Sequence, residues 1–130
     1  MIYNNIEGNA YQIQFYRDVK RNCTPVLDYI EDLRKNDKAK VLKYINHLRE
    51  NEGVLNEPYS RHITGKIREL RVDFGKNRHR IFYFAFVDKN IILLHAFLKK
   101  TAKTPEAEIK KAEENYYNVI SKNYELYEKN

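Results

Sequence analysis

Residues 67–105, IRELRVDFGKNRHRIFYFAFVDKNIILLHAFLKKTAKTP, restrict the fold more than any other part of the chain. Three strand-like runs follow one another with only short turns between them, Gly75-Lys76-Asn77 and Asp88-Lys89-Asn90. Such spacing predicts an antiparallel meander. In the first run Leu70, Val72 and Phe74 share a face with Lys66 and Arg68, while Ile67, Glu69, Arg71 and Asp73 take the other. The second run, Arg78 to Val87, is apolar on both faces after Arg80, as a strand covered on both sides should be. The third, Ile91 to Leu98, is expected to put Ile91, Leu93, His95 and Phe97 on one face. Arg68, Arg71, Arg78, Arg80, His95, Lys99 and Lys100 therefore stand on or beside a sheet. Cations gathered there repel one another and lose hydration, which points to a polyanionic ligand.

The rest of the chain supplies covering layers. Tyr11 to Arg17 alternates and predicts a half-buried strand, with Tyr11, Ile13 and Phe15 on one side. Thr24-Pro25 opens a helix as N-cap and first helical residue, and Val26, Leu27, Ile30 and Leu33 form its apolar stripe. Asn36-Asp37 is expected to break that helix and cap a second one, whose inner residues are Val41, Leu42, Ile45 and Leu48. Gly53 is its stop. The two helices are expected to form a short antiparallel hairpin. Residues 54–65 show no period and return the chain to the sheet. Thr104-Pro105-Glu106 opens a last helix with Glu106 and Glu108 near its positive end, striped by Ile109, Ala112, Tyr116, Val119 and Ile120, with Tyr124 and Tyr127 trailing. The sum is a single α+β domain over 1–130, in the order β, αα, βββ, α.

Charge and composition narrow the function. A net charge of +6 and a pI near 9.3 favour an acidic partner, whether nucleic acid, an anionic membrane surface or an acidic protein. No apolar run approaches the roughly 18 residues of a membrane span. The start, MIYNNIEGNAYQ, carries neither a basic end nor an apolar core of a secretion signal. Cys23 is alone, so no internal disulfide and no cysteine-based zinc site can form. A cytoplasmic location is expected.

Glu69-Leu70-Arg71, Arg80-Ile81-Phe82-Tyr83 and Leu94-His95-Ala96-Phe97-Leu98-Lys99-Lys100-Thr101, followed by Lys103-Thr104-Pro105, closely resemble the phage-derived, HigB-like branch of the RelE/ParE toxin superfamily. Its members typically read ELR…YRIFY…LLHGFVKKTQKTP. Ala96 stands where that family often has glycine, and Gly75-Lys76-Asn77-Arg78-His79 replaces a glycine-rich turn, adding basic groups beside the expected cleft. The resemblance implies a RelE-like fold: a small, antiparallel-rich twisted sheet with an N-terminal helical hairpin and a C-terminal helix. It also implies the toxin of a type II toxin–antitoxin pair that cuts mRNA in the ribosomal A site with no metal and no cofactor. Implied partners are mRNA on the ribosome and a cognate antitoxin, a small helix-turn-helix protein through which alone operator DNA would be reached; no membrane is involved. The tyrosine-rich last helix suits an antitoxin contact.

RNA can be cut without a metal because its 2′-OH attacks the adjacent phosphorus. The protein must align that attack, move two protons and stabilise the added negative charge. By position in the resembling motif, Arg71 is the first candidate for the scissile phosphate and Arg80 a second contact or an orienter; arginine's fixed fork suits both. The bland alternative for either is an ion pair with Glu69, Asp73 or Asp88. His95, expected to be the one histidine at a strand centre, is a candidate acid or base. Lys99 shares its parity and would be an acid or a phosphate clamp. Lys66, Arg68, Arg78, Lys100 and Lys103 are candidate RNA-backbone contacts, Lys66 at the cleft rim. His62 and His79 are expected in exposed loops. Tyr83 and Phe97 are expected in the core, since a chain without tryptophan but with eleven tyrosines and six phenylalanines must build its core from them. Two other readings fit the fold: a ParE-like toxin that binds DNA gyrase without cutting RNA, and a non-catalytic basic RNA-binding module.

Overall fold

The alternating runs become the spine of a five-stranded sheet in a computed structural model that describes residues 10–123. Strand β1 (Gln12–Phe15) precedes helices α1 (Pro25–Glu31) and α2 (Lys35–Glu50). Strands β2 (Ser60–Thr64), β3 (Ile67–Phe74), β4 (Asn77–Phe86) and β5 (Asn90–Leu98) follow. Helix α3 (Glu106–Asn118) runs into a π turn, Val119–Asn123. The strand order is β1-β5-β4-β3-β2. β1 pairs parallel to β5, and the other pairs are antiparallel.

Three expectations require correction. The first concerns element order. Among the described residues a strand comes first, the helices come next, and four strands rather than three come after them. β2 lies inside the stretch without apolar period, because an edge strand reading SRHIT exposes Arg61 and His62 and buries only Ser60 fully. Among the described residues the expected N-terminal helical hairpin is not found. α1 and α2 lie side by side on one sheet face, and Val26, Ile30, Val41, Ile45 and Leu48 join Leu70, Val72, Ile81, Ile91 and Leu93 in one core. Two short amphipathic helices cannot close an apolar stripe on each other alone, and the sheet closes it for them.

The second concerns β5. Phe82 pairs with His95 but Tyr83 pairs with Leu93, so Leu94 is an extra residue, a β-bulge. Ile91 and Leu93 therefore face α1 and α2, whereas Ile92, Leu94 and Phe97 enter the second core with Phe82, Phe84, Ala112 and Val119 under α3. His95 and Phe97 do not share a face with Ile91 and Leu93. Asn115 of α3 donates to the Leu94 carbonyl at 2.9 Å, giving the bulge's backbone a partner. Ile109, Ala112, Tyr116 and Val119 pack as the stripe predicts, Ile120 is exposed instead, and Tyr124 and Tyr127 lie outside the described residues.

The third concerns the helix start and the histidines. Asn36-Asp37 is no break: Arg34 caps α2, and Asp37 sits buried in its first turn. Asp37 Oδ2 accepts from His79 Nε2 at 2.7 Å and from Asn77 at 3.0 Å. His79 is not in an exposed loop; it is 2% exposed in β4, and Nδ1 lies 2.8 Å from the Tyr29 hydroxyl. Burial, with Asp37 adding to it, pushes the Tyr29 phenol up to about 12. A phenol that keeps its proton donates to Nδ1, which leaves Nε2–H for Asp37. His62 is in β2, exposed, and bonded to the Gly65 carbonyl at 2.8 Å. Gly53 does stop α2, two residues past its cap: its N–H meets the Leu48 carbonyl at 2.8 Å while Glu52 meets Arg49 at 3.1 Å, a Schellman closure.

Hydrogen bonds from His79 and Asn77 hold the Asp37 carboxyl below the usual carboxylate range. A depressed carboxylate stabilises the fold above its unfolded value and loses that contribution as pH falls through the folded one. Thermal unfolding followed from pH 7 to pH 2 is expected to show a fall in midpoint for the parent protein below about pH 4. In Asp37→Asn the midpoint starts lower at pH 7, and part of that acid dependence disappears.

Candidate functional site

On the α3 side of the sheet the register stacks side chains in three rows running across the strands. Arg61, Glu69, Phe82 and His95 form the first row. Arg71, Arg80 and Phe97 form the second. Asp73 and Arg78 open the third, and Lys99, whose N–H bonds the Arg78 carbonyl at 2.8 Å, completes it. Rows on one face are about 7 Å apart, within the reach of arginine and lysine side chains. The bulge is what turns His95, Phe97 and Lys99 toward this side.

The charges are placed unequally. Arg80 is 2% exposed, and its Nη1 donates to Asp73 at 2.7 Å and to the His79 carbonyl at 3.0 Å. Glu69 is wholly buried; its Oε2 accepts from Thr104 at 3.2 Å, and its Oε1 lies 3.7 Å from Arg71 Nε. Arg71 keeps 24% of its side chain exposed, so it can meet a ligand from solvent. Lys99 is buried too. Lost hydration and then Arg80 lower its proton affinity, Glu69 opposes them, and Arg71 and Arg61 add to the fall. The register puts Lys99 on the same sheet face as these arginines. Partial burial pushes Asp73 up, but its bond to Arg80 and the charges of Arg80, Arg71 and Arg78 outweigh that and hold it low.

His95 stands apart from Lys99, with Phe97 in the row between them. Its Nε2 meets Glu108 Oε1 of α3 at 2.6 Å, and the rings of Phe82 and Phe97 stack beside it at 6.3 and 6.0 Å. With Nε2–H given to Glu108, Nδ1 is the ring's acceptor.

The remaining candidates scatter. Arg78 is exposed at the end of the cluster. Lys100 and Lys103 are exposed in the segment between β5 and α3. Arg68 is on the opposite face, where its Nε meets Ser60 Oγ at 3.1 Å beside the Tyr83 hydroxyl. Lys66, in the β2–β3 turn, is five residues from Arg71, about 17 Å along the strand. It lines a separate groove with Glu113, Tyr116 and Tyr117 of α3. Tyr83 and Phe97 are buried core residues. Both ion pairs named as bland alternatives exist, Arg71 with Glu69 and Arg80 with Asp73. Asp88 lies at the far end of β4. Sequence reasoning missed Arg61, since β2 was not legible, and gave Glu69 no role of its own. Among the described residues no three His, Cys, Asp or Glu side chains group as a metal site. No described helix is long and apolar enough to cross a membrane.

A lysine held among arginines at a cost in hydration is a burden on the fold. Lys99→Met, which keeps the stem and removes the charge, is expected to raise the thermal midpoint by a few degrees, about 1 kcal/mol, as measured by calorimetry.

A search of curated proteins returns no match. The sequence model of the family described as "Phage derived protein Gp49-like (DUF891)" matches residues 28–117, from α1 into the last turn of α3. The match takes in all three rows, and it covers more than half of the chain. The chain belongs to the phage-derived Gp49-like family, a family associated with toxins of toxin–antitoxin pairs.

Proposed function

We propose that this protein is the toxin of a type II toxin–antitoxin pair, of the HigB-like kind, and that it cuts mRNA on the ribosome without a metal. The observation that carries the reading is the convergence of Arg71, Arg80, Lys99 and Arg61 on one sheet face with Glu69 and Asp73 as the counter-charges. A fold assembled for stability alone gains little from burying Arg80, Lys99 and Glu69. A site for a phosphate that gains charge on its way to a phosphorane gains much.

Arg71, whose side chain is partly open to solvent, takes the non-bridging oxygens of the scissile phosphate. Arg80, fixed by Asp73 and the His79 carbonyl, holds the field behind it and acts as a positioning residue. In-line attack by the 2′-oxygen breaks the bond from phosphorus to the 5′-oxygen and leaves a 2′,3′-cyclic phosphate and a 5′-hydroxyl. Lys99 protonates the leaving 5′-oxygen, and its weakened hold on the proton makes it a better acid than an ordinary lysine. His95, oriented by Glu108, takes the 2′-OH proton at Nδ1. Arg61, Arg78, Lys100 and Lys103 line the approach for the flanking backbone. The cognate antitoxin would keep this face from RNA.

Induction in cells followed by mapping of mRNA 5′ ends tests the reading. New ends should appear within translated frames, and translation should stop before DNA replication. Replication stopping first, with transcripts intact, would favour a gyrase-binding toxin instead. Arg71→Ala should lower cleavage about 10²–10³-fold with the fold intact. Lys99 must be protonated to act, so the rate should fall as pH rises through its lowered value. Lys99→Arg should move that alkaline limb upward.

A further inference from the structure

Glu69 is the buried anion among these cations. It is fully shielded from solvent, and it lies in the first row between Arg61 on β2 and Phe82 on β4. One carboxylate oxygen is bonded to Thr104, in the segment leading into α3. The other has no hydrogen-bond partner among the described residues, although Arg71 Nε is 3.7 Å away. A buried carboxylate with an oxygen left over is costly for packing. The cost has an offset where its charge holds neighbouring cations in place.

We propose that Glu69 is the positioning residue of this site: its carboxylate orients the Arg71 guanidinium, compensates the ammonium of Lys99 and, through Thr104, ties the segment ahead of α3 to the cationic rows. The proposal rests on the endoribonuclease reading for its catalytic consequence but not for its electrostatic one. Lys99 shares its sheet face with Arg78 and Arg80 of β4, with Glu69, Arg71 and Asp73 of β3, and with Arg61 of β2. His95 lies on its own strand, and Glu108 faces this side from α3. Among these, Glu69 is the anion that favours the charged lysine, against Arg80, Arg71 and Arg61. Its removal should leave Lys99 holding its proton less well and Arg71 free to swing.

The test has two arms on the full chain. The first follows Lys99 by NMR titration of its side-chain methylene beside the ammonium, assigned by comparison with Lys99→Arg. Glu69→Gln keeps the shape and removes the charge; it should move the Lys99 midpoint down by about one unit. The second arm measures the pH profile of cleavage on ribosomes programmed with a short mRNA. The alkaline limb should move down by the same amount, so that kcat is about tenfold lower at pH values above the parent's midpoint. Binding of the same mRNA carrying a 2′-deoxy block at the cut should weaken less than about threefold, since an anion has been removed. An unmoved Lys99 midpoint, with only a fall in thermal stability, would reduce Glu69 to a packing residue and overturn the proposal. Should Glu69→Gln fail to fold, Glu69→Asp, which draws the charge back by one methylene, must shift the midpoint in the same direction by less; no shift overturns the proposal equally. A parent protein that cuts no RNA refutes the functional reading, while the titration still decides the link between Glu69 and Lys99.

Discussion

Two neighbouring residues of the middle strand, His79 and Arg80, are buried polar groups pointing into opposite layers. Neither can be left without a partner. His79 draws Asp37 and Tyr29 from the two helices; Arg80 draws Asp73 from the adjoining strand. Apolar packing alone tolerates small sliding of a helix over a sheet. A hydrogen-bonded carboxylate–imidazole–phenol chain does not, so the first turn of α2 and the second turn of α1 are fixed against the end of β4. The register of β3 against β4 is fixed at the same point from the other side.

That double anchoring matters for what the opposite face carries. Arginine can act on a phosphate only if its own direction is settled beforehand, because each rotor left free must be frozen at binding. Arg80 is settled by its burial, and Arg71 is held from behind by a carboxylate that solvent does not reach. Lys99 is the uneasy member of the group: poorly hydrated, surrounded by like charge and compensated by Glu69. The face thus stores electrostatic strain in its side chains while the backbone beneath is an ordinary twisted sheet. The α1–α2 side bears the apolar load that makes such an arrangement affordable.

The meander, its turns and the direction of Arg71 were legible because a period of two reports faces directly. The doubly covered β4 was legible for the same reason. β2 was not: Ser60–Thr64 has no apolar alternation, and its pairing with β3 supplies what its side chains do not. The burial of His79 was not legible either, since it depends on residues 42 and 50 positions away. Beside Arg78, a histidine after a turn reads as surface. Family resemblance directed attention to Arg71, Arg80, His95 and Lys99, yet the three-dimensional grouping separates His95 from Lys99 by Phe97. It also brings in Arg61, for which no local pattern speaks. Lys66 and Arg68 were near in sequence to the cluster and distant in space, one along the strand and the other through it.

The extra residue in β5 has a reach beyond its own hydrogen bonds. A strand counts in twos, and Leu94 adds one, so everything after it changes sides relative to everything before. Upstream of that point β5 serves both cores with plain hydrocarbon; downstream it delivers imidazole, benzene ring and ammonium in succession to the charged side. Were the count unbroken from Ile91, that ammonium would be turned to the opposite side of the sheet, where Leu98 lines a pocket with Asp32 and Asp37, and it would leave the arginine rows. A single added leucine in a run of four aliphatic residues, invisible as a change of character, thus decides on which side of the sheet His95, Phe97 and Lys99 stand.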